Sequence, residues 1–329
     1  MLLRILKNST TAGYLIIPLL AVIAWLPSVR HDTVQQMIFD IHPMPLYKAV
    51  ISQLPVDSPA SRIIAFLILI MIGFYLLKLN NSYSIIRDKT LLPVFLFVML
   101  TSFIPSLQRL HPAMLAMVFV IPAFDRLLSS YKTERLSYNY FEASFLIGLG
   151  SLLYFNIIYF VFIVWVALLV LRPVIWREWV FSILGAVMPW VFYAAGYYFL
   201  HDTVEPVLEL VTINFIADDP YRFIFMPEIV FLTYILILII LASLHISNSM
   251  TKMKVLPRKI FVMFFWYWAL SVVLFFLIGT ANVELLIPAA VPVSFLLGHY
   301  LHYMRSRLWA NIILWGIVAG VLLLVWVPW

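Results

Sequence analysis

Residues 11–27 read TAGYLIIPLLAVIAWLP, a run without a single charge, with Arg4 and Lys7 ahead of it and Ser28-Val29-Arg30-His31-Asp32 behind it. A basic start before an apolar run also describes a secretory signal peptide, but no small-residue cleavage site follows this one. It is therefore read as a retained membrane span. Further apolar segments near 62–79, 91–105, 112–128, 141–154, 156–171, 178–200, 228–246, 260–279, 284–302 and 309–327 bring the total to eleven. The thin connection Tyr154-Phe155-Asn156 leaves open whether 141–171 is two helices or one kinked helix.

The composition agrees with that reading. Of 329 residues, 64% are hydrophobic and 11% charged, with a mean hydropathy of +1.04. A span takes about 20 apolar residues, so this chain fills its length with membrane helices and has no room for a separate soluble domain. The expected fold is all-α and polytopic, one integral membrane domain over 1–329. Soluble enzyme, nucleic-acid binder and disulfide scaffold are excluded. The absence of cysteine also removes thiolate metal sites and thiol nucleophiles. The net charge of +6 needs no nucleic acid as partner, because basic residues that flank spans on one side of a membrane produce it.

Charge tests the count of spans independently of hydropathy. With eleven spans and the N-terminus inside, sixteen Lys and Arg fall in inner loops and only Arg30, Lys48, Arg62, Arg109 and Arg222 outside. Removing or adding one central span inverts every later loop and destroys the bias. The expectation is thus a cytoplasmic membrane protein, N-terminus inside and C-terminus outside. Two long outer loops, 28–61 and 201–227, carry Asp32, Asp40, Asp202, Asp218 and Asp219. Chemistry, if any, belongs on that face. Met37, Ile38, Phe39, Leu46, Val50, Ile51 and Leu54 give the first loop the apolar content of short interfacial helices.

Several chemistries find no signature. There is no phosphate-binding loop, no HExxH and no GxSxG elbow, and the seven histidines show no i, i+4 metal pair. No metal site and no cofactor is expected. A metal would have only outer carboxylates such as Asp32, Asp218 and Asp219, and Asp218-Asp219-Pro220-Tyr221 reads first as a turn. Glu142, Asp125 and Glu178 stand at span ends on the basic side, within reach of satisfying partners. His245 and His299 stand near the same side as interfacial histidines.

The stretch His42-Pro43-Met44-Pro45-Leu46-Tyr47, then Ser58-Pro59-Ala60-Ser61-Arg62 entering a long apolar helix, resembles the end of the first outer loop in GT-C glycosyltransferases. Phe145 to Leu152, within 142–172, is similar to a helix pair of the protein-mannosyltransferase-like and aminoarabinose-transferase-like members. Glu284-Leu285-Leu286-Ile287-Pro288-Ala289-Ala290-Val291-Pro292 is similar to their late LLP helix. The same sequence also resembles an uncharacterised family of bacterial multi-pass proteins.

The GT-C resemblance implies transfer of a sugar from a polyprenyl-phosphate donor at the outer face. Membrane lipids and that donor would be the partners. A carboxylate in the first outer loop would act as base, because an acceptor hydroxyl must lose its proton as the bond forms. Asp32 fits that role best and Asp40 second. Arg62, Arg109 and Arg222 would hold the donor phosphate, a task suited to the guanidinium fork, with His42, Tyr47 and His111 assisting. Three departures leave a non-catalytic relative open: Asp32 is followed by Thr33 rather than Glu, His42 comes only ten residues later, and Glu284 stands where a basic residue often precedes the late LLP helix. A membrane scaffold for envelope machinery and a lipid flippase are the alternatives from other classes.

Overall fold

The computed structural model describes residues 2–8, 11–30, 43–56, 58–86, 89–131, 137–171, 175–216, 226–280 and 282–327. All regular structure among them is helical: α1 (Leu2–Lys7), α2 (Thr11–Arg30), α3 (Pro45–Gln53), α4 (Pro59–Tyr83), α5 (Leu92–Ser102), α6 (Pro112–Ser129), α7 (Ser137–Ser151), α8 (Val161–Leu171), α9 (Trp176–His201), α10 (Glu205–Ile216), α11 (Met226–Ser249), α12 (Val255–Leu277), α13 (Leu286–Tyr303) and α14 (Arg307–Trp326). Short 3-10 turns precede α8 (Phe155–Phe160) and α13 (Val283–Leu285). Eight segments, containing α2, α4, α6, α9, α11, α12, α13 and α14, are long and apolar enough to cross a membrane. This is consistent with a polytopic membrane protein.

Prolines and small polar residues set the helix starts. Ser58 caps α4, its Oγ accepting from Ser61 N at 3.1 Å, and Pro59 occupies the first helical position, where its missing N–H costs nothing. Pro112 plays the same part in α6 and Pro45 in α3. The Ser58-Pro59 and Met44-Pro45 pieces quoted above are thus helix starts. At the other terminus, α4 closes on Ser84 in the left-handed region, φ 46°.

Hydrogen bonds between connectors sort the helix ends into two groups. One end gathers the basic residues. There Leu91 N and Thr90 Oγ1 donate to Leu6 O at 2.8 and 3.2 Å, and Lys7 Nζ reaches His302 O at 2.7 Å. Lys259 Nζ donates to Leu171 O at 3.1 Å. Asp125 accepts from Tyr75 at 2.8 Å and Tyr83 at 2.7 Å, with Lys78 at 3.3 Å, while Arg126 pairs with Glu142 at 3.2 Å. Asp125 and Glu142, two of the carboxylates expected near partners at this end, have them. At the opposite end, Leu46 N donates to Leu152 O at 3.1 Å, Tyr47 to Leu110 O at 3.2 Å, and Asn156 Nδ2 to Thr280 O at 3.0 Å.

Each of the eleven apolar segments falls on a helix or helix pair. The stretch 141–171 is two elements: α7 ends at Ser151, the chain turns, and α8 packs back on α7. Three of the eleven, namely α5, α7 and Phe155–Leu171, are shorter than the rest. Every residue of α5 is buried, so lipid never meets it and its length need not match the bilayer. α5 and α13 are the most enclosed helices, whereas α2, α9, α11 and α14 keep apolar side chains exposed, among them Leu15, Phe199, Leu236 and Trp315. On a chain of this composition such a surface suits hydrocarbon rather than water.

Candidate functional site: a buried polar layer at the end opposite the basic loops

The site begins with a mismatch in length. α4 has 25 residues and α5 only 11, or about 37 Å against 16 Å at 1.5 Å per residue. The chain therefore leaves α5 well inside the bundle and runs from Phe103 to Leu110 without regular helix except the turn Pro105–Leu107. Irregular backbone at membrane depth is tolerated only where protein or a lined cavity surrounds it. Here protein does: Ser102, Ser106, Gln108, Arg109 and His111 are all buried.

Side chains close the backbone of that segment. Gln108 Nε2 donates to Ser102 O at 2.7 Å, an end carbonyl of α5, and to Ala24 O of α2 at 3.2 Å. Trp25 Nε1 donates to Ser102 Oγ at 2.9 Å, and Ser102 Oγ donates in turn to Val98 O at 2.7 Å. Ala24 lies about 20 Å along α2 from Thr11, so this layer sits below the Arg30 end of that helix.

His111 is the hinge between loop and helix. Its Nδ1 accepts from Ala113 N at 3.2 Å, which makes it the N-cap of α6. A ring that accepts at Nδ1 carries its proton on Nε2. That nitrogen lies 3.0 Å from Glu284 Oε1, with side-chain exposures of 0% and 3%. Glu284 reaches it from the turn before α13, 173 positions away in sequence. Ser106 Oγ and Gln108 Oε1 are also buried here and accept or donate no hydrogen bond among the described residues.

Of the residues singled out from sequence, Tyr47, Arg62, Arg109 and His111 are all buried at this end, with exposures of 3%, 5%, 5% and 0%. Tyr47 docks α3 onto the loop through its bond to Leu110 O, between Arg109 and His111. Arg62 stands on the first turn of α4. Asp32, Asp40, His42 and Arg222 lie outside the described residues, as do Asp218 and Asp219. Among the described residues no group of three His, Asp or Glu side chains stands close enough to hold a metal ion.

Sequence reasoning passed over Glu284 and Gln108. Glu284 was visible only as an acid at the head of the 284–302 apolar run, and Gln108 as one polar residue beside a proline-bounded turn. The available signal was that each is polar at the edge of a strongly apolar run, where such residues are rare and retained for a reason.

No curated protein and no solved structure matches this chain. One family does, described as "Family of unknown function (DUF6427)", over residues 40–327. That match takes in α3 to α14, the whole buried layer except its α2 contacts, and the chain belongs to this family.

Proposed function

We propose that the protein transfers a glycosyl group from a polyprenyl-phosphate donor at the outer face of the cytoplasmic membrane, with a GT-C-like architecture of eleven spans. The observation that carries the reading is the set of buried Arg62, Arg109, His111 and Glu284 at the end of the bundle opposite the basic loops. Ionisable groups at such depth are costly and mark functional paths. The unused hydrogen-bonding capacity of Ser106 and Gln108 in the same layer suits a hydroxyl-rich ligand. The charge bias of the loops and the separation of basic from polar helix ends support the orientation, N-terminus inside.

In this reading the acceptor hydroxyl attacks the anomeric carbon of the sugar and its proton passes to a carboxylate of the first outer loop, Asp32 or Asp40. The bond from carbon to phosphate oxygen breaks, and polyprenyl phosphate leaves with the electron pair. Arg62 and Arg109 stabilise that phosphate, so no protein acid is needed for its departure. Glu284 is engaged with His111 and holds the floor of the site.

A second reading, a non-enzymatic scaffold, is favoured by one observation: the hydrogen bonds of Tyr47, Trp25 and Gln108 all close connectors of the fold itself. Mass spectrometry of polyprenyl-linked sugars separates the two. Cells lacking the protein should accumulate the lipid-linked sugar, with rescue by wild type and failure by Asp32→Asn or Asp40→Asn at equal expression. An unchanged lipid profile, or full rescue by both variants, would favour the scaffold.

A further inference from the structure

A cavity of about 520 Å³ lies between α11, α12 and α13, with Leu100 and Phe103 of the α5 end as its floor. Its origin is in the packing: α11 and α12 both lie against α13 but hardly touch each other, so the groove between them stays open. The walls are aromatic and aliphatic, including Phe231, Trp268 and Phe275, with Thr233 and Ser271 as isolated hydroxyls and no charged side chain in the lining. Pockets of ~300–1,000 Å³ are those that enclose one small organic ligand.

Depth identifies the occupant. Along α11 the groove runs from Ile229, near the polar end, to Ile239, a rise of ~15 Å. That is half of the ~30 Å hydrocarbon thickness of a bilayer, the reach of one leaflet. One acyl tail fits this length.

We infer that the groove between α11 and α12 is a binding site for a single acyl chain of a glycerophospholipid from the leaflet at the polar end. The chain completes the packing of α11 against α12, in the place a side-chain interface would otherwise take. The site does not depend on the glycosyl-transfer reading.

The test uses full-length protein in phosphatidylethanolamine nanodiscs doped with phosphatidylethanolamine that carries a diazirine on its acyl chain. Transfer to detergent strips surface lipid, irradiation follows, and labelled peptides are mapped by mass spectrometry. Label on α11 to α13 groove residues should exceed that on the lipid-facing Phe192 and Phe199 of α9 at least fivefold. Ala289→Trp and Thr233→Trp, each filling the groove, should remove the excess. Even labelling of groove and α9 in wild type overturns the site, whatever the variants do. Retention of the excess in both variants overturns it too, and displacement by polyprenyl phosphate but not by unlabelled phosphatidylethanolamine would reassign the groove to an isoprenoid.

Discussion

His111 serves two neighbours with one ring, capping α6 through Nδ1 and facing Glu284 through Nε2. Removing it costs about 1 kcal/mol for the cap, and breaking a buried pair so that one charge stands alone costs about 3–5 kcal/mol. His111→Ala should therefore lower the thermal midpoint of the purified protein strongly. Glu284→Gln added to it should recover part of the loss, because no carboxylate is then left without its imidazole. Scanning fluorimetry of both single variants and the double reads the coupling, and strictly additive losses would dissolve the pair as an energetic unit. The sequence shows both residues but not their meeting. A separation of 173 positions leaves no local period or spacing to read, and the contact exists only because the short α5 and the turn before α13 bring two connectors to one depth.

At the scale of elements, periodicity and hydropathy suffice to find helices, and every apolar segment in the sequence is one. What they miss is how α7 and α9 come together. In lipid no hydrophobic force separates protein from solvent, so helices associate through close van der Waals contact at small residues. α7 and α9 approach each other closely at Gly148 and Gly185. A Cβ on Gly148 would stand 2.5 Å from Ala186 O, and one on Gly185 would meet Phe141 O and, at 3.1 Å, Ser144 Cβ. Gly196, three turns nearer the end of α9, has nothing within 4 Å. Gly148→Leu and Gly185→Leu should each prevent recovery of monodisperse protein by size-exclusion chromatography, whereas Gly196→Leu should behave as wild type. Equal tolerance at all three sites would mean that α7 and α9 are held by something other than this contact.

For the whole molecule the open quantity is a parity. Eight helices are long enough to cross, whereas α5, α7 and Phe155–Leu171 are apolar but shorter. Length criteria assume a helix exposed to the full hydrocarbon thickness, and α5 is wrapped by protein on every side. Counting all eleven puts Asn8 and Lys254 on one face of the membrane and Ser52 and Thr203 on the other. Counting only the eight long ones moves Thr203 to the face of Asn8 and Lys254 to the face of Ser52. Since the chain has no cysteine, the variants Asn8→Cys, Ser52→Cys, Thr203→Cys and Lys254→Cys each offer one thiol to a membrane-impermeant maleimide. Intact cells should label Ser52→Cys and Thr203→Cys, and inverted vesicles Asn8→Cys and Lys254→Cys. Labelling of Thr203→Cys together with Asn8→Cys would mean that the short helices do not cross. The buried layer around His111 would then lose its place beneath a single outer face, because the connectors that build it would no longer belong to one side.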